Sequence, residues 1–267
     1  AAHWLAQTYI SPDSQMLASA ATEEYLAFES GKAEAAKRFD DVASLAPQTA
    51  RAIERIKLGL TMPAPSDPEL RAELARLSAS MEAHYGAGQW CRPNDDGQEE
   101  CLKLQAIEKI IDNVGQDHSA QQIEAAWNAW HRTSRPIRDD YQRFAELMNQ
   151  GARELGYADT GELWRGGYDM SPTDFEAEVE RLWDQVEPLY EQLHCLVRDK
   201  LNDKYGDEVV PADGLIPAHL LGNMWAQQWG NLYPLLEPYP GHGDLDVSSV
   251  LRAQRDAEYR GLLADFK

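Results

Sequence analysis

Apolar residues along this chain recur mostly at three- and four-residue steps, and the longest such run is the clearest. Within PTDFEAEVERLWDQVEPLYEQLHCLVRDKLNDKYG, Phe175, Val179, Leu182, Val186, Leu189, Leu193, Leu196 and Val197 trace one stripe, with Glu, Asp and Arg opposite. That spacing predicts one amphipathic helix. Pro188, in its middle, should bend or interrupt it, and Gly206 should end it. Near the start, Ser11-Pro12-Asp13 opens an Ala- and Glu-rich helix reaching about Phe39, and another segment begins close to Pro47. The stretch MPAPSDP then breaks the chain, and Ser66 or Asp67 is placed to cap a helix from Pro68 to about Tyr85. Further helices are predicted near residues 104–114, 120–131 and 136–155, with a charged one over 248–266. No alternating strand pattern and no repeat is visible, so the fold class is all-α.

One stretch departs from the usual helical pattern. In IPAHLLGNMWAQQWGNLY, Pro217 suits a first helical position. Leu221, Trp225, Trp229 and Leu232 then define an apolar face, while Asn223, Gln227 and Asn231 recur at four-residue steps and stack three amides on a second face. A solvated face ordinarily carries Lys and Glu, since Asn is a poor helix former. The pattern alone favours amides that satisfy neighbouring polar groups.

Composition narrows the function classes. The 267 residues are 43% hydrophobic and 26% charged, which places the chain among globular proteins with room for a core. A formal net charge of -20 argues against nucleic acid as a partner. No run approaches the roughly 18 apolar residues of a membrane span. The opening AAHWLAQTYI has no signal-peptide pattern, so any such segment is expected to have been removed. Cys91 and Cys101 bracket the turn-rich RPNDDGQEE and read either as a disulfide, implying an oxidising compartment, or as two free thiols. Cys195, inside the long helix, reads as a small buried apolar residue.

Catalytic motifs are missing from the chain itself. None of the seven histidines lies four residues from another, so no His-Glu-x-x-His is present. Glu191 and His194 share a helix face, and structural pairing is favoured over ligation because a catalytic zinc needs three protein ligands. No Gly-x-Ser-x-Gly, phosphate loop or Cys-x-x-Cys occurs. NDDGQEE lacks calcium-loop spacing and reads as a solvated turn. His219 reads as a hydrogen-bonded core histidine.

Several longer stretches carry a resemblance. GLIPAHLLGNMWAQQWGNLYPLLEPYP closely resembles the angiotensin-converting-enzyme family of zinc dipeptidyl carboxypeptidases. YADTGELWRGGYD is similar to that family's Gly-x-x-Trp-Arg-x-x-Tyr segment, and EPLYEQLHCLVRDKLNDKYG to its central helix. CRPNDDGQEECLKL resembles its first disulfide loop and KRFD an early helix end. The resemblance covers nearly the whole chain but only the N-terminal half of the family's catalytic domain.

The resemblance implies that residues 1–267 are the N-terminal helical portion, lid and cleft wall, of a two-lobed, cleft-containing zinc peptidase domain. No catalytic residue and no zinc ligand is assigned to this chain, so alone it should be inactive, and zinc should be held by the absent half. Gln227, closing MWAQ, should help bind the C-terminal carboxylate of an oligopeptide substrate together with a Lys and a Tyr from elsewhere. Cys91 and Cys101 should form a disulfide. Gln105 stands where some members carry a side-pocket acid, which would weaken any preference for a basic penultimate residue. Chloride is a second implied ligand: Tyr168 matches a chloride-associated Tyr, whereas WNAWHRTSRP departs from the family pattern by placing His131 where an Arg is found, with Arg132 one step later. The implied setting is periplasmic or secreted, with the C-terminal half present as a second chain or fragment. The absence of an Asn-x-Ser/Thr sequon suits a bacterial source. The competing expectation is a non-catalytic helical peptide- or protein-binding module that lacks the metal half.

Overall fold

The first turns of the longer helices show why they begin where they do. Ser11 and Ser14 form a reciprocal capping box, each hydroxyl accepting the other's backbone N–H, ahead of α2 (Pro12–Lys37). Asp67 accepts from the N–H groups of Glu69 and Leu70 and starts α4 (Pro68–Gly86). Ser119 and Gln122 form a second capping box at α6 (Ala120–His131). Asp159 caps α8 (Thr160–Arg165) and Ser171 caps α9 (Pro172–Tyr205). Among the described helices, five place a proline in the first turn, where no intrahelical donor is lost.

The computed structural model describes residues 1–94, 96–112, 114, 118–239 and 247–265. The remaining helices are α1 (Ala2–Thr8), α3 (Pro47–Leu58), α5 (Leu104–Ile111), α7 (Arg138–Glu154), α10 (Tyr233–Leu236) and α11 (Ser248–Asp265). Among the described residues the architecture is all-α apart from one hairpin, β1 (Trp90–Pro93) and β2 (Glu99–Leu102), paired antiparallel with Cys91 opposite Cys101. Those two cysteines form a disulfide, and Arg92 lies over the Trp90 ring. The 136–155 helix begins later than its pattern suggests. Residues Arg132–Ile137 form a 3-10 turn that contains Pro136, and α7 starts at Arg138. Proline cannot donate the backbone bond that would continue an α-helix there.

Three apolar clusters hold the helices together. The largest joins Ile107 and Ile111 of α5, Ile123, Ala126 and Trp130 of α6, and Val197 and Leu201 of α9 to Leu220, Met224 and Leu232 of the segment after α9. A second gathers Leu26 of α2, Leu74 and Leu77 of α4, and Leu147 and Met148 of α7. Arg143 reinforces it with a two-pronged pair to Glu73, both bonds at 2.9 Å, across α7 and α4. The third joins Ala33, Leu60, Ala152 and Leu163. Gly151 lets α7 approach residues 63 and 64, since a Cβ there would stand 2.5 Å from the Pro63 carbonyl oxygen.

The long helix runs unbroken through Pro188, so the proline does not interrupt it. Its apolar stripe divides instead. Val197 and, one turn on, Leu201 are buried. Val179, Leu182, Val186, Leu189, Leu193 and Leu196 are exposed, Leu189 at 73%. Cys195 is also exposed rather than buried, because its part of the helix faces away from the core.

Candidate functional site

The segment from Ile216 to Tyr233 is not the continuous helix that its spacing suggests. It contains two 3-10 turns, Ala218–Leu220 and Gly230–Leu232, separated by bends. Two residues between them have left-handed backbone: Gly222 at φ 85° and Ala226 at φ 55°. Gly222 has no alternative, because a Cβ at that position would lie 1.9 Å from the Gln228 carbonyl oxygen. The three amides therefore do not form a stripe. The apolar residues still divide into inside and outside. Leu221, Met224 and Leu232 are buried, Trp229 is half-buried, and Trp225 is 52% exposed.

Each amide does something different. The Asn223 side-chain oxygen accepts from the backbone N–H of Trp225 at 3.2 Å and of Gln227 at 3.1 Å. Its backbone oxygen accepts from Ala226 at 3.0 Å. This local bonding competes with helix formation, as Asn side chains commonly do. Asn231 donates to the Asp112 carbonyl at 3.2 Å, tying the segment to the end of α5, while its own side-chain oxygen is buried without a partner. Gln227 is exposed, and among the described residues its side chain makes no hydrogen bond. It is the free amide of the three, with donor and acceptor both open to a ligand.

The turn is anchored on both sides. The Trp229 indole donates to the Ala226 carbonyl at 3.0 Å. Its ring lies 6.0 Å from those of Tyr190 and His194 on α9. His194 thus engages rings, and among the described residues it forms no ion pair with Glu191. On the inner side, Leu220 and Met224 are fully buried in the main cluster. His219 packs toward α6 with its Nε2 buried and unpartnered, so it is not the hydrogen-bonded core histidine expected from sequence. Burial lowers its proton affinity below the ordinary value, against a smaller opposing pull from Glu124.

The other candidates lie on separate elements. Gln105 is an exposed residue in the first turn of α5. Tyr168 is 60% exposed and stacks on Phe175 with ring centroids 3.9 Å apart. The next residue, Asp169, has left-handed backbone and is gripped from α3. Arg51 donates to both of its carboxylate oxygens at 2.8 and 3.0 Å, and Arg55 to one at 2.6 Å and to the Gly167 carbonyl at 2.8 Å. The Arg51 hydrogen bonds are the main reason that the Asp169 carboxyl is held below its ordinary value. His131 stacks on Trp127 at 3.6 Å, and its Nδ1 bonds the Trp127 carbonyl at 2.8 Å, an internal arrangement quite unlike that of a free guanidinium.

Zinc finds no home in these residues. Among the described residues, one group of His, Cys, Asp and Glu has ligand-like spacing: Cys91, Glu99 and Cys101. Both sulfurs there are consumed by their own disulfide, which removes the thiolates a metal would need. No described helix is long and apolar enough to cross a membrane.

Comparison with known proteins addresses the whole chain. A family model described as angiotensin-converting enzyme matches residues 1–260. The angiotensin-converting enzyme of Bos taurus is 39% identical over 190 residues, which are 71% of this chain and 14% of that protein. The angiotensin-converting enzyme of the leech Theromyzon tessulatum is 36% identical over 183 residues, 68% of this chain and 29% of that protein. An angiotensin-converting enzyme-like protein of Mus musculus is 37% identical over 186 residues. The matched stretch thus covers between 14% and 29% of the length of these relatives. A match reaching from the first helix past the Gln227 turn leaves one conclusion: the chain belongs to the angiotensin-converting enzyme family.

Proposed function

We propose that this chain is the N-terminal helical part of a zinc metallopeptidase that releases C-terminal dipeptides from oligopeptides. It supplies lid, cleft wall and part of the site for the peptide's terminal carboxylate. The observation that carries this reading is Gln227: an amide without an internal partner, displayed on a turn held to the core and to α9. A neutral amide donates to a carboxylate, and a cation from another part of the protein supplies the opposing charge. Fixing the terminal carboxylate restricts cleavage to a set distance from the peptide's end. We place the metal, its ligands and the general base outside this chain; among the described residues the one ligand-like group, Cys91, Glu99 and Cys101, has its two sulfurs tied up in a disulfide.

The exposed stripe of α9 supports the same reading. Six large aliphatic residues between Val179 and Leu196 stand in water along one helix face, and a contiguous exposed patch of this kind ordinarily marks an interaction surface. We assign it to the C-terminal half of the same enzyme, present as a further stretch of polypeptide or a second chain. The Cys91–Cys101 disulfide supports a periplasmic or secreted location. Tyr168 is the chloride candidate. With Gln105 exposed and uncharged, any preference for penultimate Lys over Leu is weak.

Native mass spectrometry with zinc analysis tests the proposal. The expected result is a complex with further polypeptide carrying about one zinc, as single-metal catalytic sites do. A lone, zinc-free chain that binds peptides would overturn it in favour of a non-catalytic helical module.

A further inference from the structure

The geometry points to Asn223 as the residue that positions Gln227, an inference that rests on the carboxylate-binding reading above. Four residues separate the two, and on a helix they would merely share a face. Here the Asn223 side-chain oxygen instead accepts the Gln227 N–H itself at 3.1 Å, and the Trp225 N–H at 3.2 Å. One atom thus closes the turn across Ala226, whose left-handed backbone an L residue adopts only at some cost. The Trp229 indole on the Ala226 carbonyl secures the same peptide from the far side. Buried Met224, adjacent in sequence to Asn223, fixes the base of the turn in the core.

The consequence is a division of labour. Gln227 touches the ligand, and among the described residues the Asn223 side chain hydrogen-bonds only to backbone. An amide that must meet a carboxylate within hydrogen-bonding distance loses most of its value when its Cα wanders. Asn223 removes that freedom before the ligand arrives.

Two measurements on the protein as isolated, with its metal and any companion polypeptide retained, decide the matter. The first is hydrogen exchange at the Trp225 and Gln227 amides in wild type, Asn223→Ala and Asn223→Ser. Exchange at Gln227 should be faster by about tenfold in Asn223→Ala, the equivalent of one modest hydrogen bond. It should be partly restored in Asn223→Ser, whose hydroxyl caps the same turn more weakly. Unchanged exchange in Asn223→Ala overturns the inference whatever the protein does. The second is the affinity for a short peptide with a free terminal carboxylate against its C-terminal amide. Wild type should prefer the carboxylate. Asn223→Ala should lose about as much of that preference as Gln227→Ala, and Asn223→Ser should recover part of it. Preference kept in Asn223→Ala but lost in Gln227→Ala overturns the positioning role alone. No preference in wild type refutes the carboxylate reading, and with it the substrate side of this inference.

Discussion

His219 lies in the Ala218–Leu220 turn, which packs on α6, and its Nε2 is buried without a hydrogen-bond partner among the described residues. Burial depresses its proton affinity from the ordinary value of 6.5. The folded ring therefore stays neutral at a pH where the unfolded chain already binds a proton. Its contribution to stability is complete above about pH 6.5 and declines as pH falls from there through the depressed folded value. Urea midpoints measured from about pH 7.5 down to 5 should fall more steeply for wild type than for His219→Gln; parallel curves would exclude a desolvated ring. Sequence spacing gave no hint of this environment, because it places residues on faces and says nothing of unpartnered ring nitrogens. The role proposed for Gln227 rests on the resemblance carried by PAHLLGNMWAQ. The bonding of Asn223 was not legible, since an amide bonding its own backbone leaves the same sequence trace as an amide on a helix face.

Most capped helices were legible, although α8, which Asp159 caps, was not. Ser11-Pro12, Asp67-Pro68, Ser119 and Ser171-Pro172 all start elements as their chemistry dictates. The hairpin escaped notice because four-residue strands such as WCRP and EECL show no alternation to detect. The Gln227 segment was misread as a helix because its apolar residues do recur at helical steps, while Gly222 and Ala226 break the backbone. In α9 the stripe was legible as apolar, but how much of it the rest of the chain covers was not. This yields a contrast within one helix. Leu201→Ala, in the core at 1% exposure, should cost the fold about 2–5 kcal/mol. Leu189→Lys should change the unfolding free energy of this chain by less than about 0.5 kcal/mol, yet weaken association with the remaining polypeptide. Equal losses from urea unfolding would mean that Leu189 is already packed.

At the scale of the molecule, the all-α class followed from periodicity, but the three separate clusters did not, because which helices meet depends on contacts between distant residues. The Cys91–Cys101 bond closes a short loop, with a sequence separation of 10 residues. Closing a loop of that length removes unfolded-state entropy equivalent to about 2–3 kcal/mol. Reduction, or the Cys91→Ser/Cys101→Ser pair, should lower the urea midpoint correspondingly, and an unmoved midpoint would show that the hairpin melts independently of the cores.

Pro188 lies within the exposed stretch of α9, and its ring leaves no N–H for the carbonyl of Asp184 one turn earlier. Every other carbonyl in that part of the helix has such a donor. The Asp184 carbonyl lies about half a turn round the helix from the leucines and valines, on the face that carries Glu, Asp and Arg. Water can satisfy it there while a partner covers the apolar stripe, so the cover can be wholly greasy and the flaw in the ladder stays on the wet side.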